Sequence, residues 1–563
     1  MASYLLEHRR EQIFPKLTTQ QIARLEPHGV RIDTRAGDIL AEPGEGHRKL
    51  LVVLSGSLEI IQPGTQGDEL LNILLPGDFA GELSTLRGVP GFVRIRVSAA
   101  GTVLALDEDS LRDVVQSDAE LSEIIMRAFI LRRMGLLASG HSEVMLLGSR
   151  HSGGTLHLGE FLTRNGFPYV NIDVDTDPGV EALLERFQVT AADIPIVIGR
   201  GGEVLRKPSI QDLARELQMN REIDPDRIHD LIVVGAGPAG LAAAVYAASE
   251  GLDVLVIEDT APGGQAGSSS RIENYLGFPT GISGQALASR AFMQAQKFGA
   301  NVSIACSAKQ LHCDQRPYAV ETADGRRMQT GAVIIATGAQ YRELNIEDLP
   351  RFIGTGVYYA ATHLEAKLCE GEDIVVVGGG NSAGQAAVFL AGTCRHVHIL
   401  VRADGLAQSM SRYLIRRIEE SRNITLHTRT EITALTGTDG LERVRWRSQS
   451  SGVSEMHAIG HVFLMTGATP NTKWLQGCVS LDDKGFVRTG LDLPAQHLAA
   501  AHWPASRPPF LLETSLPGVF AVGDVRSGSV KRIASAVGEG SICVQFVHRV
   551  LREFSGAESA IAY

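Results

Sequence analysis

The 563-residue sequence predicts an α/β protein in three zones: an antiparallel β-roll, a compact α/β unit, and a larger two-part α/β body. Three observations carry this. Short alternating apolar runs broken by glycine fill residues 1–138; a β-α-β-α-β order occupies 141–220; and two strand–glycine–helix signatures follow one after the other. Composition is ordinary for a folded chain, at 44% hydrophobic and 21% charged residues. A net charge of −11 argues against nucleic acid or an anionic membrane as partner.

In the first zone, Val30–Asp33, Lys49–Leu54, Ser57–Ile61, Leu70–Leu75 and Val93–Val97 read as strands, and Asp118–Leu137 as a closing helix. In the second, strands are expected at Val144–Leu147, Tyr169–Ile172 and Ile194–Ile198. Helices are expected at Leu156–Asn165, Val180–Phe187 and Ile210–Leu217. Asp224-Pro225-Asp226 reads as the linker to the body. Leu231–Ser249 and Ile374–Cys394 are uncharged over helix-spanning lengths, but each places glycines after a Val/Ile run. That reads as a buried strand, tight turn and helix, with a membrane span as the alternative. The first residues, Met1-Ala2-Ser3-Tyr4, lack the apolar core of a leader. The six cysteines are scattered without Cys-x-x-Cys, so no disulfide framework and no metal site are expected, and a cytoplasmic location is.

The first signature is Leu231-Ile-Val-Val-Gly235-Ala-Gly237-Pro-Ala-Gly240. Gly235 permits the turn, Gly237 lets a pyrophosphate approach the backbone, and Gly240 lets helix and strand pack. The next strand ends at Glu258, placed to accept ribose hydroxyls. Pro262-Gly263-Gly264-Gln265, Ile272–Pro279, Ala336-Thr337-Gly338 and Gly518–Val525 resemble the flavin-contacting segments of the thioredoxin reductase family. That resemblance implies FAD lined by Gln265, Asn274, Thr337 and Gly338, with Asp524 on the ribityl chain. Arg532, Ile533 and Ala534 then hold the carbonyl edge of the flavin ring.

The second signature, Ile374-Val-Val-Val-Gly378-Gly-Gly380-Asn381-Ser382, resembles the inserted pyridine-nucleotide domain of the same family. Its following strand ends at Arg402. Ala403 and Ala407 stand where NADPH-specific relatives carry further arginines, and no acid marks an NADH site, so NADPH is favoured over NADH without being fixed. The resemblance divides the body into an FAD-binding part, 227–342 with 473–563, and an NAD(P)H-binding insert, 343–472. Both are Rossmann-like, and a homodimer is implied.

Where the family carries its redox Cys-x-x-Cys, this chain has Ala360-Ala361-Thr362-His363. Alanine cannot perform thiol–disulfide exchange, so the internal dithiol relay is missing. His363 is the candidate proton donor near the flavin, against the plainer reading of a structural histidine. Cys369 and Cys394 lack a vicinal partner and read as buried apolar residues. The second zone, with Ile194-Pro195 before a strand, resembles glutaredoxin-like thioredoxin folds, but Ser152-Gly153-Gly154-Thr155 replaces the dithiol. A docking or spacer role is implied. Gly81-Glu82-Leu83-Ser84 resembles the phosphate cassette of cyclic-nucleotide-binding domains. Pro90-Gly91 stands where that family has Pro-Arg, and Arg94 and Arg96 point to the opposite face of their strand. A cyclic-nucleotide sensor and a ligand-free roll both remain open. Leu493–Pro509, with Trp503, is an insertion of no assigned role.

Together these readings predict an FAD-dependent NAD(P)H oxidoreductase delivering electrons to an acceptor the sequence does not identify. The alternatives are thioredoxin-disulfide reduction by an unconventional route, or a redox or nucleotide sensor in which flavin is a ligand.

Overall fold

The computed structural model describes residues 10–43, 49–62, 68–87, 91, 93–138, 144–177, 180–199, 203–269, 272, 275–341, 344–346, 348–352, 355–359, 361, 363–438, 440–466, 468–475, 477–500, 503 and 507–554.

The N-terminal roll is built on two long antiparallel strands, Leu50–Gln62 and Arg94–Leu106, paired along their length. Two expected strands, Lys49–Leu54 and Ser57–Ile61, are thus one. The reason is Gly56: at φ +78° it absorbs the register shift between them, so the strand bulges instead of ending. A Cβ there would sit 2.5 Å from the Ala99 carbonyl oxygen, so only glycine lets the strands approach this closely. Leu50, Val52, Phe79 and Leu104 form the core with the following helices, and Met293 of helix Gly284–Lys297 in the body belongs to the same cluster. The roll is therefore packed onto the body.

The middle unit is a four-stranded sheet in the order 204–206, 196–198, 145–148, 170–173. The strand Val204–Arg206 was not legible, being only three residues long and half exposed. Helix Gly153–Arg164 buries Thr155, Leu158, Phe161 and Leu162 against this sheet. The cis peptide Ile194–Pro195 lies beside its first turn, where a Cβ on Gly154 would be 3.3 Å from Pro195.

In the body, parallel strands Ile228–Val234, Val254–Ile257 and Arg327–Ile335 form the centre of a seven-stranded sheet completed by Val519–Ala521. Leu231, Ile232 and Val233 are fully buried, so both faces of the strand are covered, which explains the unbroken apolar run. The insert has its own five-stranded parallel sheet, in the order 357–358, 461–464, 373–377, 396–400, 424–427. Ala339–Tyr341 pairs antiparallel with Ala468–Pro470 where the chain enters and leaves the insert. Both uncharged stretches are thus strand, turn and helix. Among the described residues no helix is long and apolar enough to cross a membrane.

The expectation that no disulfide forms is corrected. Cys313 and Cys478, 165 residues apart, form a disulfide. It ties the two halves of the large sheet's layer together around the whole insert, a juxtaposition sequence spacing cannot reveal. Cys369 and Cys394 lie with their sulfurs 3.5 Å apart in the core of the insert. Both are buried as expected, but each has the other as partner. A disulfide closing so long a loop is worth about 2–4 kcal/mol. The Cys313→Ser/Cys478→Ser variant is therefore expected to melt several degrees lower than the native chain. Equal melting curves with and without reductant would contradict this.

Candidate functional site

Gly235, at φ +104°, turns the chain from the first strand into the helix Pro238–Ser249. A Cβ on Gly240 would overlap the Gly235 carbonyl at 1.8 Å, whereas one on Gly237 would meet nothing within 4 Å. The first contact seats the helix on the strand; the second leaves an opening at a helix N-terminus, where a pyrophosphate fits. Glu258, at the end of the neighbouring strand, accepts from the backbone N–H of Ala236 at 2.7 Å and of Thr260 and Ala261 at 3.1 Å. Burial pushes its carboxyl above the usual range, and these donors oppose the shift. Glu258 thus braces the glycine turn itself, a role the sequence did not suggest.

One cavity of about 2210 Å³ is lined by both glycine turns. A pocket for one small molecule measures roughly 300–1,000 Å³, so the volume suits two dinucleotides. At the first turn it is lined by Gly235, Gly237, Glu258, Gln265, Thr337, Gly338, Asp524, Arg532 and Ile533. The Gln265 side chain donates to the Ala339 carbonyl. Thr337 donates to the Asn471 carbonyl at 2.8 Å, and the Asn471 amide returns to the Thr337 carbonyl at 3.0 Å. That reciprocal pair clasps the entrance to the insert. Burial raises the Asp524 carboxyl above its ordinary value, with Lys531 pulling the other way. Asn274 lies outside the described residues.

At the second turn Gly378, Gly380, Asn381, Ser382 and Arg402 line the same cavity. Asn381 accepts from the backbone N–H of Ser411 at 2.7 Å, holding the turn over the following loop. Glu431 also lines the cavity and is held well ionised by Arg447 at 2.9 Å, with Arg402 adding to the shift. The expected nucleotide arginine therefore stands beside a carboxylate.

Between the turns, Val357, Tyr358, Tyr359, Glu365 and Leu368 line the wall where the family's dithiol would lie. His363 opens the helix His363–Leu368, but its side chain, like Ala360, lies outside the described residues. Cys306 is the cavity-lining cysteine among the described residues; burial raises its thiol pKa, which disfavours the nucleophilic thiolate. Cys369 and Cys394 do not line the cavity.

Sequence reasoning missed the third wall. Gly153, Leu156, His157, Glu160 and Arg164 of the middle unit reach the same cavity. Their helical spacing was visible, but which neighbour the stripe faces was not.

In the roll, Glu82 is buried and paired with Arg132 at 2.9 Å. Arg94 is held by Glu42 and Asp68, and Arg96 by Glu59. Ser84 donates its hydroxyl to the Gly81 carbonyl at 3.0 Å. The side chain of Leu83 is outside the described residues.

Away from the cavity, the rings of His398, His427 and His457 lie against Trp446, and His396 lies against His398. Burial and the neighbouring rings lower His398 to about 4, with Asp373 opposing. A histidine depressed in the fold takes up protons preferentially when unfolded. Its contribution is therefore complete above the unfolded pKa near 6.5 and is lost as pH falls toward about 4. His398→Gln is expected to flatten the acid limb of melting temperature against pH in that window; an unchanged limb would contradict this.

Two glycine-cradled nucleotide folds, one inserted in the other and sharing a cavity, define the class of FAD-dependent NAD(P)H oxidoreductases. Residues 229–540 match the model of the pyridine nucleotide-disulphide oxidoreductase family, and the chain belongs to that family. Residues 31–118 match the cyclic nucleotide-binding domain model. Among curated relatives, thioredoxin reductase of Mycolicibacterium smegmatis is 34% identical over 56% of this chain and 93% of its own length. NADPH-dependent thioredoxin reductase 3 of Arabidopsis thaliana is 33% identical over 58% of each chain, so the match spans little more than half of that relative. The T. acidophilum thioredoxin reductase structure matches with a TM-score of 0.51 at 28% identity, over 57% of this chain and 99% of that one.

Proposed function

We propose that this chain oxidises NAD(P)H through FAD and hands the electrons to an acceptor outside the chain, without a dithiol at the flavin. The observation that carries the reading is the shared cavity, with glycine turns at both ends and no cysteine on its described central wall. Gly235, Gly237, Gln265, Thr337, Gly338, Asp524, Arg532 and Ile533 would hold FAD, with Asn274 and Ala534 added by family resemblance. Gly378, Gly380, Asn381, Ser382 and Arg402 would hold the nicotinamide nucleotide. FAD supplies acceptance of a hydride from the reduced nicotinamide. The protein's residues position the two rings, exclude water and brace the turns. Arg402 favours NADPH, and the adjacent Glu431 limits the preference to a modest one.

Thioredoxin reduction is the second reading, favoured by the relatives' names. It requires a thiol that can reach the flavin. Anaerobic mixing with NADPH and NADH separately tests the first step: the bound flavin should bleach, faster with NADPH. A thioredoxin-coupled assay tests the second, and no turnover is expected. Vigorous thioredoxin reduction would overturn the dithiol-free route.

The roll acts in this reading as a ligand-free support for helix Gly284–Lys297. Its glutamate is committed to Arg132, and the two arginines on its last strand are committed to carboxylates. Burying a phosphate without a cation is costly. Cyclic AMP is expected to leave the rate of flavin bleaching unchanged.

A further inference from the structure

Helix Gly153–Arg164 has two committed faces. One packs in the core of the middle unit. The other, carrying Gly153, Leu156, His157, Glu160 and Arg164 at helical spacing, forms a wall of the dinucleotide cavity. The unit is seated there by side-chain to backbone bonds. Gln285 donates to the Thr163 carbonyl at 2.7 Å and Asn165 to the Thr260 carbonyl at 3.1 Å. Asn220 holds both the N–H and the carbonyl of Ile304 at 2.7 Å, away from the cavity.

Arg164 is the cation on this wall. Its Nη2 donates to the Gly264 carbonyl at 2.8 Å. Gly264 lies against the fingerprint turn, since a Cβ on it would be 3.1 Å from the Gly237 Cα. The guanidinium therefore stands beside the opening left by Gly237. Its donors are under-used: Nη1 reaches Glu160 only at 3.4 Å, and the buried Nε has no hydrogen-bond partner. Its field also reaches Glu258, where it opposes the upward shift that burial causes. A guanidinium with spare donors next to a phosphate-sized opening matches a pyrophosphate in charge and geometry.

We infer that the middle unit closes the FAD site, with Arg164 positioning the cofactor's pyrophosphate. This rests on the flavoprotein reading above. It gives the unit a task that needs no sulfur: where a dithiol would sit, Gly153 merely forms part of the cavity wall.

The test is a titration of the flavin-free full-length chain with FAD, read by flavin fluorescence. The native chain should bind. Arg164→Ala should weaken binding about 10- to 100-fold and reduce its dependence on salt, because one charge-assisted contact to phosphate is lost. Arg164→Lys should recover part of the affinity. Asn220→Ala, which loosens the seat without touching the cavity, should weaken FAD binding less than Arg164→Ala and leave its dependence on salt as in the native chain. The flavin-free melting temperature of Arg164→Ala should fall only by the small amount that loss of its bond to Gly264 costs. The inference is overturned if Arg164→Ala binds FAD within twofold of native, or if Asn220→Ala loses as much affinity as Arg164→Ala. Failure of the native chain to bind FAD at all is a separate result, and it would remove the flavoprotein reading itself.

Discussion

Gly240→Ala is expected to give a destabilised protein that retains no flavin. The added Cβ would lie 1.8 Å from the Gly235 carbonyl oxygen and 3.2 Å from the Ala336 Cβ. The first of these is backbone, so no side chain can swing aside. The helix would have to withdraw, but Ala239 and Leu241 through Val245 are buried along it and leave no slack. Overpacking of this kind costs about 1–3 kcal/mol even when relief is available, and more when it is not. Withdrawal also moves the turn that Glu258 braces. Gly237→Ala is the informative companion. Its Cβ meets no protein atom within 4 Å, so the flavin-free protein should melt normally while FAD affinity falls. Melting temperature and bound-flavin absorbance separate the two. A Gly240→Ala protein with native melting and full flavin content would refute the packing argument.

The contrast between those two glycines shows what the sequence could disclose. A glycine fingerprint after an apolar strand states a local backbone problem with one known solution, so the cradles at Gly235 and Gly378 were legible. Alternating apolar runs gave the roll for the same reason. What escaped was everything set by contacts between distant segments. Gly56 looked like a strand end because its effect depends on the partner strand's Ala99 carbonyl. The bracing of the glycine turn by Glu258 was hidden because its three backbone donors come from the turn beside it and the loop after it. Cys313 and Cys478 are brought together only when two halves of one layer close around an insert. Arg164 carries no motif at all, and it gains meaning only from the docking of one unit on another.

Arg507 extends that logic to the insertion, where the sequence offered no reading. Its guanidinium donates to Glu513 at 2.7 and 3.3 Å and to Glu553 on the last helix at 2.7 and 2.9 Å. It lies 3.6 Å from the centre of the Phe510 ring. Trp503 donates its indole N–H to the Arg507 carbonyl at 2.8 Å, so the insertion presents this arginine. Glu513 is fully buried and also accepts from the backbone N–H of Phe510 and Gly518. Arg507→Met would leave that carboxylate inside the protein without its cation, a change that costs about 3–5 kcal/mol. Glu513→Gln alone should also destabilise, since an amide cannot accept all four donors. The double variant should be milder than the sum, because the buried charge and its partner leave together. Denaturant unfolding of the four proteins measures this, and a loss below about 1 kcal/mol in Arg507→Met would contradict it. The effect should also reach the flavin. Glu513 bridges to Phe520 in the strand Val519–Ala521, and that strand runs directly into Gly523 and Asp524 on the cavity wall. Loosening it should therefore lower FAD affinity together with stability, whereas a distant core cavity of equal cost would lower stability alone.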